Sequence, residues 1–105
     1  MSVSNGFLLF GEQFPQTAQA HMAFVQAEAQ ESALDEKTGH LAYLAVLAAT
    51  GMSGGIPFHV RLARESGASR EEVLSACLSG LPAVGLTVLD GLAAAADALN
   101  GEADE

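Results

Sequence analysis

The chain has 105 residues, half of them hydrophobic, and a formal charge of −9 from 13 acidic and four basic residues. That length fits one domain, and the apolar fraction excludes a disordered chain. The acidic balance, with no cluster of Lys or Arg, speaks against nucleic acid or an anionic membrane surface as partner.

Residues 1–14 read as an N-terminal arm. Met1 to Asn5 look frayed, while Phe7 to Phe10 and Phe14 are apolar enough to pack, as a short helix or on a neighbour. No basic stretch precedes Phe7-Leu8-Leu9-Phe10, so no signal peptide is expected. The main domain spans 15–100. Abundant Ala, scarce aromatics and few β-branched residues favour helix over sheet. Pro15 starts a helix to about Glu31, with Ala20, Phe24 and Ala27 on one face. Ser32 and Asp35 are alternative caps for the next helix, which carries Leu41, Leu44 and Leu47 and stops at Gly51. Met52-Ser53-Gly54-Gly55-Ile56-Pro57 forms a glycine-rich join, and Pro57 opens a helix that ends at Gly67.

Ser69-Arg70-Glu71-Glu72 is a capping box, opening a helix with Val73, Leu74, Cys77 and Leu78 inward. Gly80-Leu81-Pro82 interrupts it, and a last helix runs from about Pro82 to Leu99 with Val84, Val88, Leu92 and Ala95 or Ala96 on one face. Asn100-Gly101 ends it, leaving 101–105 as an acidic tail. The expectation is an all-α domain of about five or six helices. Leu41 to Val60 lacks formal charge over a membrane-spanning length, but Gly51, Gly54, Gly55 and Pro57 cluster within it and its flanks carry no Lys/Arg bias. No membrane insertion is expected. The single cysteine, Cys77, cannot form an internal disulfide and suits a reducing, cytoplasmic setting.

Leu34-Asp35-Glu36-Lys37-Thr38-Gly39-His40-Leu41, the Gly51 turn, Phe58-His59-Val60 and Ser66-Gly67-Ala68-Ser69-Arg70-Glu71-Glu72-Val73 follow one another in an order that resembles the carboxymuconolactone decarboxylase and AhpD-like alkylhydroperoxidase family. The resemblance runs from about Pro15 to about Leu86. It implies an all-α AhpD-like fold and a homo-oligomer, commonly a trimer or hexamer. The family's peroxidase branch uses Cys-x-x-Cys, a His four residues further on, and a Glu on the preceding helix. Here the His is His59, the cysteine positions map to Met52 and Gly55, and the Glu position maps to His40. Neither a thioether nor a glycine can reduce a peroxide, so thiol peroxidase activity is rejected. The decarboxylase branch also lacks the cysteine pair and keeps the His, but Gly55 removes the carboxylate expected there.

His59 is the leading candidate for catalysis. It lies one turn into its helix, where the helix N-terminus would favour the neutral, proton-accepting imidazole. Its alternative is a hydrogen-bonded, inert core histidine. His40 either faces His59 and divides the acid and base roles with it, or is an exposed helix residue. Two imidazoles without a nearby carboxylate or thiol make a poor metal site, so no metal and no cofactor is expected. Tyr43 either packs or donates a hydrogen bond to bound substrate. Met52, Ser53, Gly55, Ile56 and Phe58 are read as substrate-binding positions, and the two lost thiols make that place roomier and suited to a small hydrophobic molecule. Arg61 and Arg64 either steer an anionic substrate or pair with Glu65 or other acidic neighbours on the surface, pairing being the stronger reading for Arg64. Cys77 reads as a buried inert thiol, and His21 as a surface or interface residue. The leading expectation is a cysteine-independent lyase or isomerase, of decarboxylase or cyclisation type, with His59 moving the proton. The other is a non-catalytic relative that binds a small hydrophobic ligand or serves as an oligomeric scaffold.

Overall fold

The computed structural model describes residues 4–103. These form seven helices and no strand: α1 (Asn5–Gln13), α2 (Pro15–Glu31), α3 (Glu36–Ala49), α4 (Ile56–Glu65), α5 (Arg70–Leu78), α6 (Leu81–Val84) and α7 (Val88–Ala103). The all-α expectation holds. The extra helix arises because the segment expected to run unbroken from Pro82 turns at Gly85, whose φ of 78° suits glycine and breaks the α register. After a single 3-10 turn the chain resumes as α7.

Local chemistry sets each start and stop. The Ser4 hydroxyl accepts from the Phe7 N–H, so α1 begins at Asn5, inside the stretch expected to fray; Met1 to Val3 lie outside the described residues. Of the two candidate caps before α3, Asp35 is the one used, accepting from the Thr38 N–H at 2.8 Å. Ser32 makes a local turn to the Leu34 N–H instead. The Ser69–Glu72 box closes in both directions, and Lys37 on α3 pairs with Glu72 at 3.0 Å. Gly51 and Gly67 adopt φ of 74° and 98°, the left-handed geometry that ends α3 and α4. α7 continues through Asn100-Gly101 to Ala103, and Glu102 pairs with Arg64 at 3.1 Å.

The core lies among α3, α4, α5 and α7. Leu44, Leu47 and Ala48 meet Ile56, Val60 and Ala63, then Val73 and Cys77, and finally Val88, Ala95 and Leu99, all buried. Leu78 and Val84, expected inward, are instead 38% and 46% exposed: the buried face of α5 is Val73, Ala76 and Cys77, with Leu78 a further ~100° round the helix, and Val84 ends the short α6, which buries no residue. α3 and α7 cross closely where Gly91 faces Ala48: a Cβ at Gly91 would lie 2.8 Å from both the Ala48 Cα and Cβ.

α1 and α2 stand apart from this core. They pack on each other, and no residue of either is buried. Phe7, Phe10, His21 and Phe24 run ring to ring along them, with neighbouring centroids 6.0–6.4 Å apart. His21 is thus an exposed residue between two phenylalanines. The uncharged stretch from Leu41 to Val60 is broken between α3 and α4. The run Arg70–Glu102 is long and apolar enough to cross a membrane by length and composition, but it is divided into α5, α6 and α7.

Candidate functional site

The join between α3 and α4 places the candidate residues. Gly51 turns the chain back, the Met52 N–H donates to the Leu47 carbonyl, and a 3-10 turn over Ser53–Gly55 runs directly into α4. Proline near the start of α4 suits a first turn that needs no N–H from it. His59 therefore leaves the first turn of α4 and meets the Tyr43 side of α3. The Tyr43 and His59 rings have centroids 4.4 Å apart, tilted by 53°. Phe58 stands edge-on to His59 at 5.3 Å.

His59 is half-buried, and its Nδ1 is buried without a hydrogen-bond partner. Burial holds the imidazole below its usual pKa, and the nearby His40 imidazole pushes it further the same way. The direction matches the sequence expectation, but the cause is desolvation and a second imidazole rather than the helix N-terminus. Lys, Arg, Asp and Glu are absent from the groups acting on His59. The lowered pKa favours the neutral imidazole near pH 7, and its buried Nδ1 has no hydrogen-bond partner.

The remaining predicted positions separate into three groups. His40, Tyr43 and Phe58 gather about His59. Met52 and Ser53 lie on the join just before it, Met52 being 61% exposed. Gly55 is half-buried in αR backbone, and a Cβ there would sit 3.7 Å from Leu47 and 4.0 Å from the His59 ring. Ile56, by contrast, is fully buried and reaches the Gly91 crossing, so it is a core residue and lines no site. Its neighbour Pro57 fixes the start of α4, and the helix then turns Ile56 inward with Val60 and Ala63. Arg61 points away from His59. It pairs with Glu65 at 3.2 Å and borders a depression of about 480 Å³ shared with Arg64 and Glu102.

Cys77 is buried on α5, and burial pushes its thiol up to about 11. Among the described residues no group of three or more His, Cys, Asp or Glu is placed to hold a metal ion. Two features escaped the sequence reading. Val46 extends the exposed wall beside Tyr43, three residues further along α3, and is 56% exposed. Gly91 makes the tight crossing beneath Ile56; a glycine in the middle of a long alanine-rich helix was the available signal for it.

Neither the curated proteins nor the solved structures gave a match to this chain. The sequence model of the carboxymuconolactone decarboxylase family does match, over residues 15–98, from the start of α2 through nearly all of α7. With that match over most of its length and an all-α fold, the chain belongs to the carboxymuconolactone decarboxylase family.

Proposed function

We propose that this family member is a cysteine-independent acid/base catalyst, a lyase or isomerase, acting on a small apolar carbonyl compound such as a lactone or β-keto acid. One observation carries the reading: His59 combines a neutral imidazole with a buried, unpartnered Nδ1 beside Tyr43. A buried nitrogen left unpaired is unfavourable by about 1–3 kcal/mol; being buried, Nδ1 is out of a ligand's reach, so the other ring nitrogen of the half-buried His59 is the one that exchanges a proton with substrate.

In an isomerisation, His59 takes a proton from a carbon next to a carbonyl. The C–H electron pair moves into the carbonyl as an enolate, and the imidazolium returns the proton at another carbon. In a decarboxylation, His59 first takes the proton of the substrate's carboxylic acid, the bond to CO₂ then breaks into the enolate, and the imidazolium returns that proton to carbon. His40 serves as the opposite acid/base partner or orients His59, and Tyr43, whose ring lies against that of His59, donates a hydrogen bond to the enolate oxygen. Met52 and Phe58 supply apolar surroundings, Ser53 adds a hydroxyl beside them, and the absence of a side chain at Gly55 leaves room for the ligand. The deeply buried Cys77 and the lack of thiols at Met52 and Gly55 support the rejection of peroxidase chemistry.

The test is deuterium exchange. In D₂O, wild type should wash deuterium into the acidic C–H of β-keto acids and unsaturated lactones, followed by proton NMR. His59→Ala should slow this by at least about 10²-fold while keeping helicity. Equal rates in the two proteins would end the proposal. A second reading, ligand binding without turnover, is favoured by the bare apolar wall of Val46, Met52 and Phe58. Saturable binding with no exchange above background would select it.

A further inference from the structure

The chain carries Lys or Arg at four positions, and each is engaged elsewhere than at His59. Lys37, one turn before His40 on α3, reaches across to Glu72 on α5 at 3.0 Å. Glu72 also accepts from the Ser69 N–H at 2.8 Å, which anchors that pair to the start of α5. Arg61 follows His59 by two residues, about 200° round α4, and pairs with Glu65 at 3.2 Å. Arg64 pairs with Glu102 at 3.1 Å and donates to the Ala68 carbonyl at 2.8 Å. Arg70 reaches the Asn100 side chain on α7 at 3.4 Å. None of the four acts on the His59 imidazole. Around His59 and on the join before it, the side chains are of another kind. Tyr43, Met52 and Phe58 are uncharged and 37–61% exposed, and Ser53 adds a neutral hydroxyl.

We propose that the His59 site selects an uncharged substrate: it takes a neutral lactone, ester or ketone and refuses the carboxylate form of the same molecule. The proposal rests on the reading of His59 as the site, and it chooses between the two reactions considered there. Isomerisation of a neutral carbonyl compound fits; decarboxylation, whose substrate is an anion near neutral pH, does not. Two penalties act on the anion. At long range, a chain of net charge −9 repels it. At contact, a carboxylate set against Met52 and Phe58 loses water and gains no cation in return. His59 does not make up for this, because burial and the neighbouring His40 hold it towards its neutral form. The neutral molecule meets neither penalty. It keeps its contact with the apolar side chains, and its carbonyl needs only neutral donors, such as the hydroxyls of Tyr43 and Ser53.

The test compares a butenolide carrying a carboxymethyl arm with its methyl ester, near neutral pH. The two molecules differ by one charge and one methyl group. Tyr43 is the only tyrosine and Trp is absent, and its ring centroid lies 4.4 Å from that of His59, so its fluorescence reads occupancy of the site without turnover. The ester should bind at least about tenfold more tightly than the acid. Met52→Arg, which adds a cation at an exposed position of the join, should narrow that gap at least about threefold by strengthening binding of the acid. The wild-type comparison decides alone if that variant loses its helical circular dichroism. An acid that binds as well as its ester, an ester that leaves Tyr43 unchanged at every soluble concentration, or a gap that a folded Met52→Arg protein leaves intact would overturn the proposal. Deuterium exchange into the ester is followed in parallel. An ester that binds selectively without exchange ends the acid/base reading and leaves the preference for an uncharged ligand standing, so the two failures are read separately.

Discussion

Replacing Gly91 by Ala sets two effects of opposite sign against each other. Alanine is the better helix former by about 1 kcal/mol, so propensity alone predicts a more stable α7. The new methyl, however, would arrive 2.8 Å from the Cα and Cβ of Ala48, about 1 Å inside an optimal carbon–carbon contact. One of those atoms is backbone, so no rotamer change relieves the overlap and α3 must move against α7. Overpacking of this kind is destabilising by about 1–3 kcal/mol, and a displaced helix belongs at the upper end. The expected balance is a loss of about 1–2 kcal/mol, which lowers the urea midpoint by about 1 M for a chain of this size. Gly39 in α3 is the control, because a Cβ there meets nothing within 4 Å. Gly39→Ala should raise the midpoint through about 0.5–1 kcal/mol of helix propensity. Both variants are followed by circular dichroism at one protein concentration. A Gly91→Ala protein as stable as Gly39→Ala would refute the close-crossing account of how α3 meets α7.

Two further outcomes follow from the titrating groups. His59 is held below its usual pKa by burial and then by His40, so His40→Ala should move the His59 ring titration upward in NMR, and any acid limb of activity with it. Because the unfolded chain binds that proton more readily, His59 weakens the fold only as pH falls below about 6.5, and the loss levels off once the folded ring is protonated. The native Cys77 thiol, pushed up to about 11, should react with a disulfide reagent only as fast as the chain unfolds; rapid native labelling would contradict its burial.

Helix starts with a side-chain cap were readable because their chemistry is local: Ser69 with Glu72, Asp35 with Thr38, and the two left-handed glycines that end α3 and α4. What the sequence left open depended on distance across the fold. Whether Ser32 or Asp35 capped α3 turned on where the incoming chain lay. Leu78 and Val84 were expected on a core face, yet Leu78 lies one residue past the face that Val73, Ala76 and Cys77 bury, and Val84 ends the short α6, which buries nothing. Ile56 looked like a pocket residue beside His59, but one helical step from Pro57 commits it to the core. At the site, His59 could be nominated from resemblance, whereas its buried, unpartnered Nδ1 and its contact with Tyr43 exist only because α4 leans on α3.

Gly55 does not occupy its place for the sake of the backbone. Its φ of −89° and ψ of −10° are open to every L-residue, and a Cβ would touch Leu47 and the His59 ring at ordinary contact distance. A cysteine, aspartate or glutamate could be installed there without moving a helix, within reach of the imidazole. The framework is therefore neutral towards the chemistry it carries: the same backbone could hold a thiol, a carboxylate or a void. The step between those site chemistries is a change of one codon, with no refolding required.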